Sequence, residues 1–444
     1  MLNSASVIGR YTLAGTVKLT SPLVIRAGVS NDILNDTVDD IVVTYHDGQP
    51  FIPGTSLAGV LRQAIQGLEP VSEDVLFGSI DDKGTQSALQ INDIPLDNTN
   101  IVVRDGICID DVRGVTKDGA KYDFEVIESG ATGRLRIDCV IRQCHENQAD
   151  KIERALVALA NLLKNGISIG ARTVNGLGRV VGKDISLEHY DFTKPEHIKA
   201  WLLRKAGTSV AIPERRMVAD KDLVIDMECS LEDTVLIKSI FEEAWEDKSV
   251  ALFIPGTSIK GVLRHHCSRI LQALSRSNQA VDALFGYSIE KTNESRKGRV
   301  MVDEVYFDKS FIQEEQPRIR VDRFTGGAMN GALFQDHPVR KGKGKQLVFP
   351  LRMTVKDCSD SEAGLVLLLV KDLMTGQITL GANRTIGYGR IKGNSVAVQY
   401  HGESYGIDGT GKVTEGESTK LEALVQALHQ STEDTMLAKE GAHE

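Results

Sequence analysis

The segment Phe51-Ile-Pro-Gly-Thr-Ser-Leu-Ala-Gly-Val-Leu-Arg62 returns as Phe253-Ile-Pro-Gly-Thr-Ser-Ile-Lys-Gly-Val-Leu-Arg264, with ten of twelve positions identical. Further along, Gly170-Ala-Arg-Thr-Val-Asn-Gly-Leu-Gly-Arg-Val180 is answered by Gly381-Ala-Asn-Arg-Thr-Ile-Gly-Tyr-Gly-Arg-Ile391. Weaker landmarks keep the same order: Leu76-Phe-Gly78 matches Leu284-Phe-Gly286, and Leu89-Gln-Ile-Asn-Asp-Ile94 matches Val300-Met-Val-Asp-Glu-Val305. The two principal runs recur after 202 and 211 residues. Solenoid units run to a few tens of residues, so a period this long marks a whole domain, duplicated and fused. A chain of 444 residues is long enough for each copy to bury its own core.

Both halves follow one grammar. Each opens with a strand whose apolar and polar residues alternate, Tyr11 to Thr20 and Leu223 to Leu231. An amphipathic helix follows each Ile-Pro-Gly-Thr-Ser run, Leu57 to Gln66 and Ile259 to Leu274, with Thr55/Ser56 and Thr257/Ser258 placed to cap its first turn. A second helix, Ile152 to Lys164 or Ala363 to Asp372, leads into a strand and the glycine-rich run. Strand, helix, strands, helix, strand is the order of a ferredoxin-like α+β core.

Composition narrows the function classes. The chain is 41% hydrophobic and 25% charged, with no apolar window long enough to span a bilayer. Its N-terminus enters a strand without a basic start and apolar stretch, so no membrane partner and a cytoplasmic location are expected. The six cysteines fall into no paired short spacings; reduced thiols, and neither disulfides nor a zinc finger, are the expectation. A net charge of −9 argues against coating nucleic acid over the whole surface, yet Arg318-Ile-Arg320-Val-Asp-Arg323 and Arg340 to Lys345 are basic islands.

The repeated motifs have a common physical meaning. A Pro-Gly-Thr-Ser turn entering a helix exposes N–H groups and hydroxyls at the positive end of the helix dipole, which suits a phosphate. Gly-x-Gly-Arg lets backbone approach a ligand closely. Together, the duplicated Phe-Ile-Pro-Gly-Thr-Ser-Leu/Ile-x-Gly-Val-Leu-Arg run and the late Gly-x-Gly-Arg loop resemble the RAMP superfamily, in particular the crRNA-binding backbone subunits of type III CRISPR effector complexes. Two such units in one chain resemble the fused backbone subunits of type III-D-like assemblies.

That resemblance implies two tandem ferredoxin-like, RRM-like RAMP domains, each with an inserted thumb hairpin. The expected limits are 1–205 with a thumb at about 105–134, 206–401 with a thumb at about 318–345, and an acidic flexible tail with one helix over 402–444. The partners implied are guide crRNA, complementary target RNA and other type III effector subunits in a ribonucleoprotein complex for antiviral defense. The protein would hold phosphate and sugar while base pairing supplies specificity. Residues carried over as RNA-binding are Gly54, Thr55, Ser56 and Arg62, with Arg172, Gly176, Gly178 and Arg179 from the first half. The second half contributes Gly256, Thr257, Ser258, Lys260 and Arg264, then Arg320, Arg323, Arg384, Gly387, Gly389 and Arg390.

The resemblance also implies endoribonuclease activity, hydrolysis of target RNA that depends on Mg2+ or Mn2+ and on an aspartate in the loop before the Ile-Pro-Gly helix. In Asn31 to Val43 the pattern falls best on Asp39, as catalytic residue and metal ligand, with Asp40 and Asp36 beside it. The second half has no convincing counterpart, and Asp247 is its candidate. Two alternatives stand: a non-catalytic guide scaffold, and a stand-alone endoribonuclease that processes guide precursors by acid–base side chains such as His46, His265 or His266.

Overall fold

The structure, a computed structural model, describes residues 5–27, 40–66, 73–79, 84, 86–109, 116–215, 220–238, 246, 252–289, 294–307, 311–341 and 347–431. The chain forms two compact units, one of Met1–Thr173 with Leu177–Ala219, the other of Val174–Gly176 with Asp220–Glu444. In sequence terms the change of unit falls at 219/220, later than the 205/206 boundary expected from the repeat.

In the first unit the strand Val7–Leu19 lies between Arg179–Asp191 and Thr132–Arg142, and Leu89–Ile91 with Ile94–Asp97 flank the latter. In the second, Leu223–Leu231 lies between Ile391–Tyr400 and Leu347–Val355, with Val300–Val302 beyond. Both sheets are antiparallel in the order fourth, first, third, second, which is the ferredoxin-like arrangement. The alternation read from sequence becomes burial: Tyr11, Leu13, Val17 and Leu19 in one unit, and Leu223, Ile225, Met227, Cys229 and Leu231 in the other, point into the cores.

Helices cover the inner face. Ala149–Asn165 buries Ile152, Ala155, Leu156, Leu159, Ala160 and Leu163, one stripe at helical spacing. Its counterpart Asp360–Met374 starts from a capping box of Ser359 and Glu362, and it is apolar nearly all round. The reason is a second cover: helix Ser418–Gln430 packs on it so closely that a Cβ at Gly364 would come 2.2 Å from the Leu424 carbonyl. Strands Glu403–Asp408 and Val413–Glu415 also extend the second sheet beyond Ile391–Tyr400. The segment 403–431 is therefore built into the second unit, whereas 432–444 lie outside the described residues.

Each unit carries a long hairpin outside its sheet. The first pairs Ile101–Ile109 with Thr116–Ile127, and the second pairs Gln316–Val321 with Ala328–Asp336. Of Arg340 to Lys345, the stretch 342–346 lies outside the described residues.

Candidate nucleic-acid interface

The two Ile-Pro-Gly-Thr-Ser helices run Gly54–Ile65 and Gly256–Ala273. They begin earlier than the sequence pattern predicts, because extended Pro53 and Pro255 take the N-cap position and no side chain caps either helix. Each glycine is there for close approach: a Cβ at Gly54 would sit 2.3 Å from the Ile91 carbonyl oxygen, and one at Gly256 2.5 Å from that of Val302. Thr55 and Thr257 are exposed, Ser56 and Ser258 half-buried, and these four hydroxyls bond to no described residue. In the first unit the Gly54 N–H donates to Asp93 Oδ1 at 2.7 Å, so a carboxylate of the chain itself sits at the positive end of that helix.

The arginines that close the repeated motif act as braces. Arg62 Nη2 lies 3.6 Å from Asp74 Oδ1, and Arg264 Nη2 lies 2.6 Å from Asp282 Oδ1 while also donating to the Gly286 carbonyl. Both acids lie on the helix that follows, two residues before the repeated Leu-Phe-Gly. Asp-x-Leu-Phe-Gly was thus a longer repeated signal than the Leu-Phe-Gly matched from sequence.

Lys260 is different. It is 9% exposed in the first turns of its helix, has no carboxylate partner among the described residues, and stands near two further cations, Arg264 and Lys297. Burial, reinforced by those cations, pulls its pKa down to about 8. Ala58 occupies the matching position of the first repeat.

The glycine-rich turns repeat bond for bond. Gly178 N–H donates to the Pro22 carbonyl and Ile169 N–H to that of Gly178; Gly389 N–H donates to the Thr234 carbonyl and Leu380 N–H to that of Gly389. Gly178 and Gly389 both have φ of +79°, and a Cβ there would fall 1.9 Å from the Ile169 oxygen and 1.7 Å from the Leu380 oxygen. These glycines seal a corner of the fold. Gly176 is buried, but Gly387 is exposed with open space around it, next to exposed Arg384. Arg179 donates to the Asn165 carbonyl at the end of a helix, and Arg390 pairs with Glu232 at 3.1 Å.

The second hairpin is the most exposed apolar element of its unit. Leu333 is 68% exposed, Phe324 at the tip fully so, and Ile319, Val321, Met329 and Phe334 add to them. Asp322 shapes the tip by accepting the Phe324 and Thr325 N–H groups, which holds its carboxyl below the usual range. Arg320 and Arg323 project from this hairpin without a carboxylate partner among the described residues. Arg172, by contrast, is engaged: it pairs with Asp40 at 3.1 Å and lies over the rings of Tyr122 and Phe124, at 4.6 and 4.2 Å.

Of the acidic candidates, Asp36, Asp39 and Asp247 lie outside the described residues. Asp40 Oδ2 lies 2.9 Å from Arg26 Nη2 and 3.1 Å from Arg172 Nη2, so two guanidinium groups already balance its charge. His46 is exposed, and His266 Nε2 lies 2.7 Å from Asp372 Oδ2, on a helix face. A trough of about 450 Å³ on the open face of the second sheet is lined by Asp226, Glu228 and Asp408 against one arginine, Arg352, a poor setting for phosphate.

The residues that sequence reasoning missed are carboxylates: Asp93, Asp74, Asp282 and Asp336. Except for the repeated Asp-x-Leu-Phe-Gly, nothing local marks them, since their partners are distant in the chain. A family model, that of the RAMP superfamily, matches residues 16–181 and 240–392. No curated protein matches the chain.

Proposed function

Because this chain belongs to the RAMP superfamily in both halves, and so is a CRISPR-associated RNA-binding subunit, we propose that it is a backbone subunit that holds the guide RNA of a type III effector complex. The observation that carries the reading is Lys260. A buried ammonium flanked by cations carries a penalty that an arriving anion relieves, and a guide phosphate at the adjoining helix N-terminus is the natural counter-charge. The hydroxyls of exposed Thr257 and half-buried Ser258 stand in the same turn. The second hairpin suits bases rather than phosphates: exposed Phe324 and Leu333 offer stacking surface, and Arg320 and Arg323 offer charge.

Cleavage of target RNA is assigned to Asp39 of the first unit. A divalent ion held there would stabilise charge on the scissile phosphate; the chain's own contribution is one carboxylate, directly before the anchored Asp40 in sequence. The engagement of Asp40 favours a second reading, a guide scaffold without cleavage, should Asp39 prove inert. Binding of guide RNA by the full chain, compared between wild type and Lys260→Ala over a range of salt, tests the main reading. Each lost phosphate contact lowers the slope of log K against log salt by about 1. An unchanged slope and affinity would remove Lys260, and with it the proposal's main support.

A further inference from the structure

Arg172 and Asn383 occupy the same position of the two glycine-rich runs, and both are non-glycine residues with left-handed backbone, φ of 57° and 59°. Each spends its side chain on a carboxylate. Arg172 holds Asp40 Oδ2 at 3.1 Å, and Asn383 Nδ2 donates to Asp336 Oδ2 at 2.9 Å. An arginine closes each pair: Arg26 lies 2.9 Å from Asp40, and Arg318 Nε lies 3.1 Å from Asp336. Asp336 is 1% exposed. An aromatic–guanidinium stack completes both clusters with the roles exchanged. In the first unit the arginine comes from the turn and the rings, Tyr122 and Phe124, from the hairpin; in the second Arg318 comes from the hairpin and the ring, Tyr388, from the turn, 5.1 Å away. Tyr388 also accepts from Arg318 and donates to Gln316 at the hairpin base.

Asp40 is tied to the first hairpin through its backbone as well. Its carbonyl accepts the Glu125 N–H at 2.8 Å, and Glu125 Oε2 accepts the Val42 N–H at 3.0 Å. The same connection has thus been built twice from different residues. A connection serving local packing alone could be satisfied by any apolar contact, whereas a buried charge pair fixes one geometry and is costly in any other.

We infer that Asp40 and Asp336 are positioning residues that latch each unit's hairpin to its glycine-rich turn, fixing the spacing between the hairpin and a sealed corner of the fold. The inference rests on the guide-holding reading for what is spaced, but the latch itself is a property of the chain. In Asp336→Asn the Arg318 guanidinium loses its counter-charge, while the shape of the cluster is kept.

The test is hydrogen–deuterium exchange on the full chain, with 2′-hydroxyl acylation of bound guide RNA as a second readout. Asp336→Asn should speed exchange of the hairpin amides 328–335 by about tenfold or more, leaving the core strand Leu223–Leu231 as protected as in wild type. It should also blur the acylation pattern at the nucleotides that face the hairpin, while the salt dependence of binding stays put. Exchange that is unchanged, or that rises equally through the core strand, overturns the latch. If Asp336→Asn does not fold, Arg318→Lys keeps the charge but removes the fork and the stack, and its exchange must rise in the hairpin alone. A wild-type chain that protects no nucleotide would overturn the guide-holding reading instead, and the exchange result then decides the latch by itself.

Discussion

Replacing Lys260 by Met should make the free protein more stable and its complex with RNA weaker. The lysine's pKa falls from 10.5 to about 8 on folding, with burial the larger cause and the cations Arg264 and Lys297 adding to it. Each pKa unit is worth 1.36 kcal/mol, so burying the charged form costs about 3 kcal/mol near neutral pH. The sign follows from proton counts. Below about pH 8 the lysine is charged in both states and the whole penalty is present; between about 8 and 10.5 the unfolded chain binds more protons, so stability rises with pH. Met fills the same space without charge. Urea denaturation of both proteins at pH 7, 9 and 10, taken as the difference within the transition of the second unit, should therefore show the variant ahead at pH 7 and the gap closing upward. Guide affinity should move the other way. A bound phosphate restores the charged form, so wild-type affinity should fall as pH rises past about 8, and the variant should lack this dependence. If Lys260→Met is no more stable than wild type at pH 7 and shows the same pH slope, the lysine is not an uncompensated buried charge. If guide affinity is also unchanged, the phosphate reading fails with it.

The other predictions are more local. Gly389→Ala forces a Cβ within 1.7 Å of the Leu380 oxygen and should lower the thermal midpoint of the second unit by the equivalent of about 2 kcal/mol or more. Gly387→Ala, with nothing within 4 Å, should cost only the left-handed strain of about 1 kcal/mol, so the ordering of the two midpoints is the check. A double-mutant cycle on Arg264 and Asp282 should return a coupling of about 1 kcal/mol in denaturation, given that both are partly exposed, and Arg264→Ala should alter the salt dependence of guide binding less than Lys260→Ala does. In the assembled complex, Asp39→Ala or chelation of divalent ions should remove one cut of a labelled target RNA while guide affinity holds; an intact ladder would assign the chain to scaffolding.

Much of the architecture was legible without coordinates. Repetition in fixed order gave two copies of one domain, and periodicity placed strands and helices within a few residues of where they stand. The start of the Ile-Pro-Gly helices was read late because threonine and serine look like caps, whereas proline in an extended conformation already occupies the cap. Of the candidate site, repetition in the sequence marked residues without marking their tasks. Gly178, Gly389, Arg62 and Arg264 all have contacts within the fold, sealing corners and bracing helices, and recurrence alone does not separate that from ligand binding.

Periodicity and repetition are local or self-comparing signals, so a chain carries them openly; here they determined the duplication, the α+β order and the residue types at every corner. Which charge answers which is not written locally. Asp40 meets Arg172 across 132 residues and Arg264 meets Asp282 across 18, while Lys260, also a cation, meets no carboxylate among the described residues. Only the tertiary structure decided which cations of the repeated motifs are paired with a carboxylate among the described residues and which are not, because burial and the distance between side chains set the cost of a charge, and neither exists until the chain has folded.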